Sequence, residues 1–119
     1  MNAGGKILLV DDNKDFRTVL RTALESKGYD IFEAGDGEEA LDLMNKTVVH
    51  MAIVDLDMPR MNGIEFSKHV KTRKPDFPII MMTAYAQFYS PGEILSAGVD
   101  AFLQKPVDLE RLTKAILQL

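Results

Sequence analysis

Six positions in the chain carry side chains suited to one kind of chemistry, and each closes a short apolar run. Asp11 and Asp12 follow Ile7-Leu8-Leu9-Val10, Asp55 and Asp57 follow Met51-Ala52-Ile53-Val54, Thr83 follows Ile79-Ile80-Met81-Met82, and Lys105 comes shortly after Ala101-Phe102-Leu103. Three carboxylates brought within a few ångströms cannot all stay ionised without a cation, because like charges in a poorly solvated cleft raise one another's pKa. A divalent ion and Lys105 are the groups that can supply the charge. The donors are all oxygen, there is no cysteine, and His50 and His69 stand apart from them, so the set suits Mg²⁺, with Mn²⁺ as its substitute, over Zn²⁺. A carboxylate nucleophile, a hard cation, a hydroxyl donor and a lysine together suit transfer of a phosphoryl group onto aspartate. Asp55 would attack phosphorus, the cation and Lys105 would neutralise the equatorial oxygens, and Thr83 with a backbone amide would donate hydrogen bonds to them. Each residue has a plainer use as well. Asp55 and Asp57 can form a turn before Pro59, Asp11-Asp12-Asn13 can cap a helix, Thr83 can close a turn and Lys105 can be a surface lysine. Their joint arrangement decides between these uses.

That arrangement depends on the elements between them. The apolar runs predict strands at Lys6–Val10 (β1), Tyr29–Ala34 (β2), Val48–Val54 (β3), Ile79–Met82 (β4) and Ala101–Leu103 (β5). Helical spacing predicts α1 over Lys14–Ser26, with Phe16, Val19, Leu20, Ala23 and Leu24 on one inward stripe, and α2 from about Glu38 to Lys46 with Ala40, Leu41 and Met44 inward. A third helix, α3, runs from Ile64 to about Thr72. Ser90-Pro91 reads as an N-cap and first-turn proline for a short α4 ending near Ala97, and α5 starts at about Asp108 with Leu109, Leu112, Ile116 and Leu119 on one face. Strands alternating with helices predict a doubly wound α/β sheet, parallel and covered on both faces. Right-handed crossovers then bring every strand's carboxyl end, and hence Asp11, Asp12, Asp55, Thr83 and Lys105, to one edge.

Composition narrows the remaining classes. The 119 residues suffice for one domain, and no linker, repeat or low-complexity tract divides them. Fourteen basic against eighteen acidic residues, a net charge of -4, argue against nucleic acid as the direct partner. The basic cluster Lys68–Lys74 closes a helical pattern, where cations suit the helix dipole. No run is long enough to span a membrane and the first residues lack a signal peptide's apolar region, so a cytoplasmic protein without a membrane partner is expected, with residues 1–5 disordered.

The chain resembles the receiver domains of two-component response regulators, along essentially its whole length. The markers are Asp11-Asp12, Asp55 followed by Met58-Pro59 and Asn62-Gly63, Thr83-Ala84, and Gly98-Val99-Asp100-Ala101-Phe102-Leu103-Gln104-Lys105-Pro106. The resemblance implies a flavodoxin-like five-stranded sheet of order 2-1-3-4-5 flanked by five helices. It implies Asp55 as phosphoacceptor from a sensor histidine kinase or a histidine phosphotransfer protein, in a switch that catalyses only its own phosphorylation and dephosphorylation. Asp12, Asp55 and the backbone carbonyl of Asp57 would ligate Mg²⁺ directly and Asp11 through water, while Thr83 and Lys105 would contact the phosphoryl oxygens. Phe102 takes the switch-aromatic position, where inward movement of Thr83 makes room for its ring, and the Lys105-Pro106 bond would be cis. The α4-β5-α5 face would carry the output, including a homodimer contact.

Two departures stand out. Tyr85-Ala86-Gln87-Phe88-Tyr89-Ser90-Pro91-Gly92 is rich in aromatics and its Pro-Gly shortens or loosens α4, and Tyr85 and Asp57 flank the site entrance, where they should affect acyl-phosphate hydrolysis. A phosphatase of the haloacid dehalogenase type also combines Asp-x-Asp, Thr, Lys and an acidic pair, but in the reverse order and with a cap for which this chain has no room. A flavodoxin-like flavin binder would need a hydroxyl- and amide-rich loop where Asp11-Asp12 stand. A receiver that no longer accepts phosphate and serves as an interaction module is the third alternative.

Overall fold

Strands that are apolar along almost their whole length need cover on both faces, and the runs of β1, β3 and β4 obtain it as the buried centre of one parallel sheet, with the partly exposed β2 and β5 at its edges. The computed structural model describes residues 1–119. Its elements are β1 (Lys6–Val10), α1 (Lys14–Glu25), β2 (Asp30–Ala34), α2 (Gly37–Lys46), β3 (Met51–Asp55), α3 (Gly63–Arg73), β4 (Ile79–Thr83), α4 (Pro91–Ser96), β5 (Ala101–Gln104) and α5 (Leu109–Leu117). The strand order is β2-β1-β3-β4-β5, every pairing parallel. Alternate side chains divide the interior. Ile7, Leu9, Ile53 and Met82 pack with Leu20 and Leu24 of α1 and Leu112 and Ile116 of α5. Leu8, Val10, Ala52 and Val54 face the other way, against Ala40 of α2 and Phe66 and Val70 of α3. Each fully buried aliphatic side chain contributes about 1.5–3 kcal/mol, so the central strands anchor the sheet and their ends are well placed to hold a site. No helix is long and apolar enough to cross a membrane.

Capping sets where the helices start, and thereby the loops at the sheet edge. Asn13, Asp36, Asn62, Ser90 and Asp108 each accept a backbone N–H with the side chain, and Asn62 with Glu65 forms a reciprocal capping box. Gly63 shows how close the α3 start lies to the end of β3. A Cβ there would stand 2.7 Å from the Asp55 carbonyl oxygen and 2.8 Å from the Leu56 Cα, while the Gly63 N–H donates to the Leu56 carbonyl. Both obstacles are backbone, so Gly63→Ala is expected to lower stability by about 1–3 kcal/mol, read from urea unfolding; an unchanged midpoint would contradict the contact.

Two expectations need correction. β3 begins at Met51, not Val48: the His50 Nδ1 accepts the Lys6 N–H at 2.9 Å, parallel pairing starts at Ile7 with Met51, and Val48 is 70% exposed. Val19 lies outside the buried stripe of α1, which runs through Leu20 and Leu24; Val19 is one residue, and so about 100° of helical turn, away from Leu20. Residues 1–5, for which disorder is the expectation, make contacts with the body of the fold. The Met1 ammonium donates to the Ile116 carbonyl at 2.6 Å near the end of α5, where a cation suits the helix dipole, and the Tyr29 hydroxyl donates to the Met1 carbonyl at 2.8 Å. Helix α4 is short, as expected, spanning six residues, and a 3-10 turn at Ala86–Phe88 precedes it.

Candidate functional site

Parallel topology brings the carboxyl ends of β1, β3, β4 and β5 to one edge, and the predicted residues meet there. Asp55 is the last residue of β3 and almost wholly buried, as are Asp11 and Thr83, while Asp12 is exposed at the rim. Carboxylate oxygens of Asp11, Asp12 and Asp55 lie within 4.8 Å of one another. Lys105 reaches in from beyond β5, its Nζ 2.8 Å from Asp11 Oδ2 and 3.5 Å from Asp55 Oδ2. The Phe16 ring lies 4.4 Å from the same ammonium and supports it from α1. The Lys105-Pro106 peptide bond is cis.

The charges in this cluster do not balance. Burial pushes the Asp55 carboxyl up to about 6 and the Asp11 charge adds to the rise, against the Asp57 N–H, which donates to Asp55 Oδ1 at 3.1 Å, and the Lys105 charge. Burial alone would lower the Lys105 ammonium, but the hydrogen bond to Asp11 and the charges of Asp55 and Asp11 outweigh it, and the group is held above its ordinary value. Three carboxylates against one ammonium, with only oxygen donors, fit a hard divalent cation.

On the other side of the edge one side chain makes contacts that the sequence did not reveal. Asp57, expected to serve through its backbone carbonyl, turns its carboxylate toward β4, where Oδ2 accepts from the Thr83 hydroxyl and from the Ala84 N–H at 3.3 Å. Its Oδ1 accepts from the Tyr89 hydroxyl at 3.2 Å. Thr83 Oγ1 in turn accepts the Tyr85 N–H at 3.0 Å. In the sequence Asn13 reads only as part of a helix cap, and Arg17 carries no signal: the Asn13 N–H donates to Asp11 Oδ1 at 2.8 Å, and Arg17 donates to the Asp11 carbonyl and pairs with Glu33 at 3.0 Å. Phe102 is half-buried beside Leu56, Met81 and Ile94. The basic cluster on α3 stays apart from this edge, with Lys71 paired to Asp100 at 3.0 Å.

Residues 7–117 match the sequence model of the response regulator receiver domain. Over 116 residues the chain is 36% identical to the alkaline phosphatase synthesis transcriptional regulatory protein PhoP of Bacillus subtilis (strain 168), a match covering 95% of this chain and 48% of PhoP. The chain spans half or less of the length of the curated relatives it matches. Among solved structures, chemotaxis protein CheY4 of Vibrio cholerae is similar with a TM-score of 0.88 and 34% identity, covering 98% of each chain. TrrA of Thermotoga maritima, solved in complex with Mg²⁺-BeF, is similar with a TM-score of 0.87 and 31% identity, covering 96% of this chain and 97% of TrrA.

Proposed function

The chain belongs to the response regulator receiver domain family, and on that premise we propose that residues 1–119 form one receiver domain, a switch in which Asp55 is the phosphoacceptor. Histidine kinases phosphorylate domains of this family. The donor here is a phosphohistidine on a sensor kinase or a phosphotransfer protein. An Asp55 carboxylate oxygen forms the new bond to phosphorus as the phosphorus–nitrogen bond breaks, and the bonding pair leaves with the donor imidazole. Lys105 neutralises charge on the transferring oxygens, and Thr83 with the Ala84 N–H donates to one of them. Asp12, Asp55 and the Asp57 carbonyl would hold Mg²⁺, or Mn²⁺ in its place, with Asp11 acting through water; the bound ion supplies Lewis-acid neutralisation of the phosphoryl group. The observation that carries this reading is the burial of Asp55 between the Lys105 ammonium and two further carboxylates, a position costly for structure alone.

Phosphorylation adds roughly two negative charges at this edge and biases Thr83, Phe102 and the α4-β5-α5 face between two packings. That face suits an output surface or a homodimer contact, since Phe88 and Leu95 are 74% and 72% exposed in and beside α4. The test is intact mass after incubation with Mg²⁺ and a small acyl phosphate. A single phosphoryl adduct is expected, absent with EDTA and absent in Asp55→Ala. Failure of the parent to form it while still binding Mg²⁺ would overturn the assignment.

A further inference from the structure

Asp57 holds the two donors that the proposed reaction needs. The Thr83 hydroxyl has one proton and the Ala84 amide has one, and both are directed to Asp57 Oδ2. Neither can serve a phosphoryl oxygen and this carboxylate at once. The competition is one of like for like, an anionic oxygen already occupying the seat that another anionic oxygen is to take.

The second oxygen of Asp57 ties that seat to the segment before α4. Tyr89 donates to Oδ1 at 3.2 Å, its ring lies against the small cluster of Leu56, Met81 and Ile94, and the next residue, Ser90, caps α4. Burial, and then the Asp57 carboxylate accepting its proton, hold the Tyr89 hydroxyl above its ordinary pKa, so at neutral pH it is a donor. Helix α4 buries little of its own, Ile94 being its one buried residue. Its position therefore depends on the contacts of the segment that leads into it.

We propose that the Asp57 carboxylate is a built-in occupant of the phosphoryl-oxygen seat, and that Tyr89 couples its displacement to the segment entering α4. The inference rests on Asp55 being the phosphoacceptor and goes further: it assigns the Asp57 side chain a positioning role separate from that of its backbone carbonyl. A phosphoryl group on Asp55 takes the Thr83 and Ala84 protons and repels the carboxylate through its own negative charge. Asp57 swings out, Tyr89 loses its acceptor, and residues 85–96 are released from the site. The exposed Tyr85, Phe88 and Leu95 belong to that released segment.

The experiment uses the protein labelled with 3-fluorotyrosine, whose three tyrosines, Tyr29, Tyr85 and Tyr89, give three fluorine resonances; Tyr89→Phe assigns the one of interest. The parent, Asp57→Asn, Asp57→Ala and Tyr89→Phe are titrated with Mg²⁺ and beryllofluoride as the phosphoryl mimic. The Tyr89 resonance of the parent is expected to shift on loading while that of Tyr29 stays in place, and in Asp57→Ala it should lie near the shifted position before loading. Asp57→Ala should bind the mimic about tenfold more tightly, the factor for losing one competing charge-assisted hydrogen bond, with Tyr89→Phe and the isosteric Asp57→Asn between it and the parent. Mimic binding with a stationary Tyr89 resonance, or an affinity that Asp57→Ala leaves unchanged or weakens, would overturn the proposal and spare the phosphoacceptor assignment. Absence of mimic binding in every variant would overturn both.

Discussion

Replacing Asp55 by asparagine is expected to yield a protein that takes up no phosphoryl group and yet resists unfolding better than the parent in metal-free buffer at neutral pH. The first effect follows from losing the nucleophilic carboxylate. The second follows from what the carboxylate costs the fold. Burial and the Asp11 charge raise the Asp55 carboxyl from 3.8 to about 6. Between those values the native chain keeps a proton that the unfolded chain has released, so raising the pH through the window favours unfolding. Below the lower value the penalty is absent, and above the upper one it is complete, worth about 3 kcal/mol at 1.4 kcal/mol per pH unit. Other carboxyls act in the opposite sense: Glu33 is lowered chiefly by its hydrogen bond from Arg21, and Asp36 chiefly by the Glu39 N–H, so both lose stability as the pH falls. The gap between Asp55→Asn and the parent isolates the Asp55 contribution, and it should open between about pH 4 and pH 6. Mg²⁺ should narrow it by binding the native parent. Urea unfolding across that range reads the gap; coincident curves for the two proteins would show that burying Asp55 costs the fold nothing.

That same cost explains why the site was legible in the sequence. Acids that close apolar runs conflict with burial, and a parallel sheet with right-handed crossovers leaves one edge where the conflict can be resolved. Asp11, Asp12, Asp55, Thr83 and Lys105 could therefore be assembled from strand ends alone. The five parallel strands and their shared edge agree with that assembly because both follow from strand direction, a property of the backbone, whereas the order of the strands came from the family resemblance. Where the outcome turned on side-chain direction in a loop, local pattern was insufficient. Asp57 meets Tyr89 across 32 residues of chain, and no periodicity links the two. His50 displaced the start of β3 by accepting the Lys6 N–H at its ring Nδ1, a choice that the apolar Val48-Val49 pair before it did not signal. Met1 docked on α5 through its terminal ammonium, a group that composition does not rank.

Removing the site's one ammonium should have the largest effect on phosphoryl uptake among changes that leave Asp55 in place. Lys105→Met keeps most of the side chain's length and deletes the charge 2.8 Å from Asp11 and 3.5 Å from Asp55, together with its cation–π contact with Phe16. Two buried carboxylates then face each other uncompensated, which for a broken buried pair costs about 3–5 kcal/mol. Asp55 can escape part of that cost by keeping its proton to higher pH, so the loss of stability should grow as the pH rises and should be smaller with Mg²⁺ present. The protonated acid is also a poorer nucleophile. Together with the lost neutralisation of the phosphoryl oxygens, this should slow uptake from a small acyl phosphate by about 10²–10³-fold, the usual effect of deleting one such stabilising group. The double variant Lys105→Met with Asp55→Asn separates the two consequences. With only one buried carboxylate left ionised, it should recover about 1–3 kcal/mol relative to the sum of the single changes. Additive stabilities would mean that Lys105 does not balance Asp55, and an uptake rate equal to the parent's would remove the ammonium from the reaction.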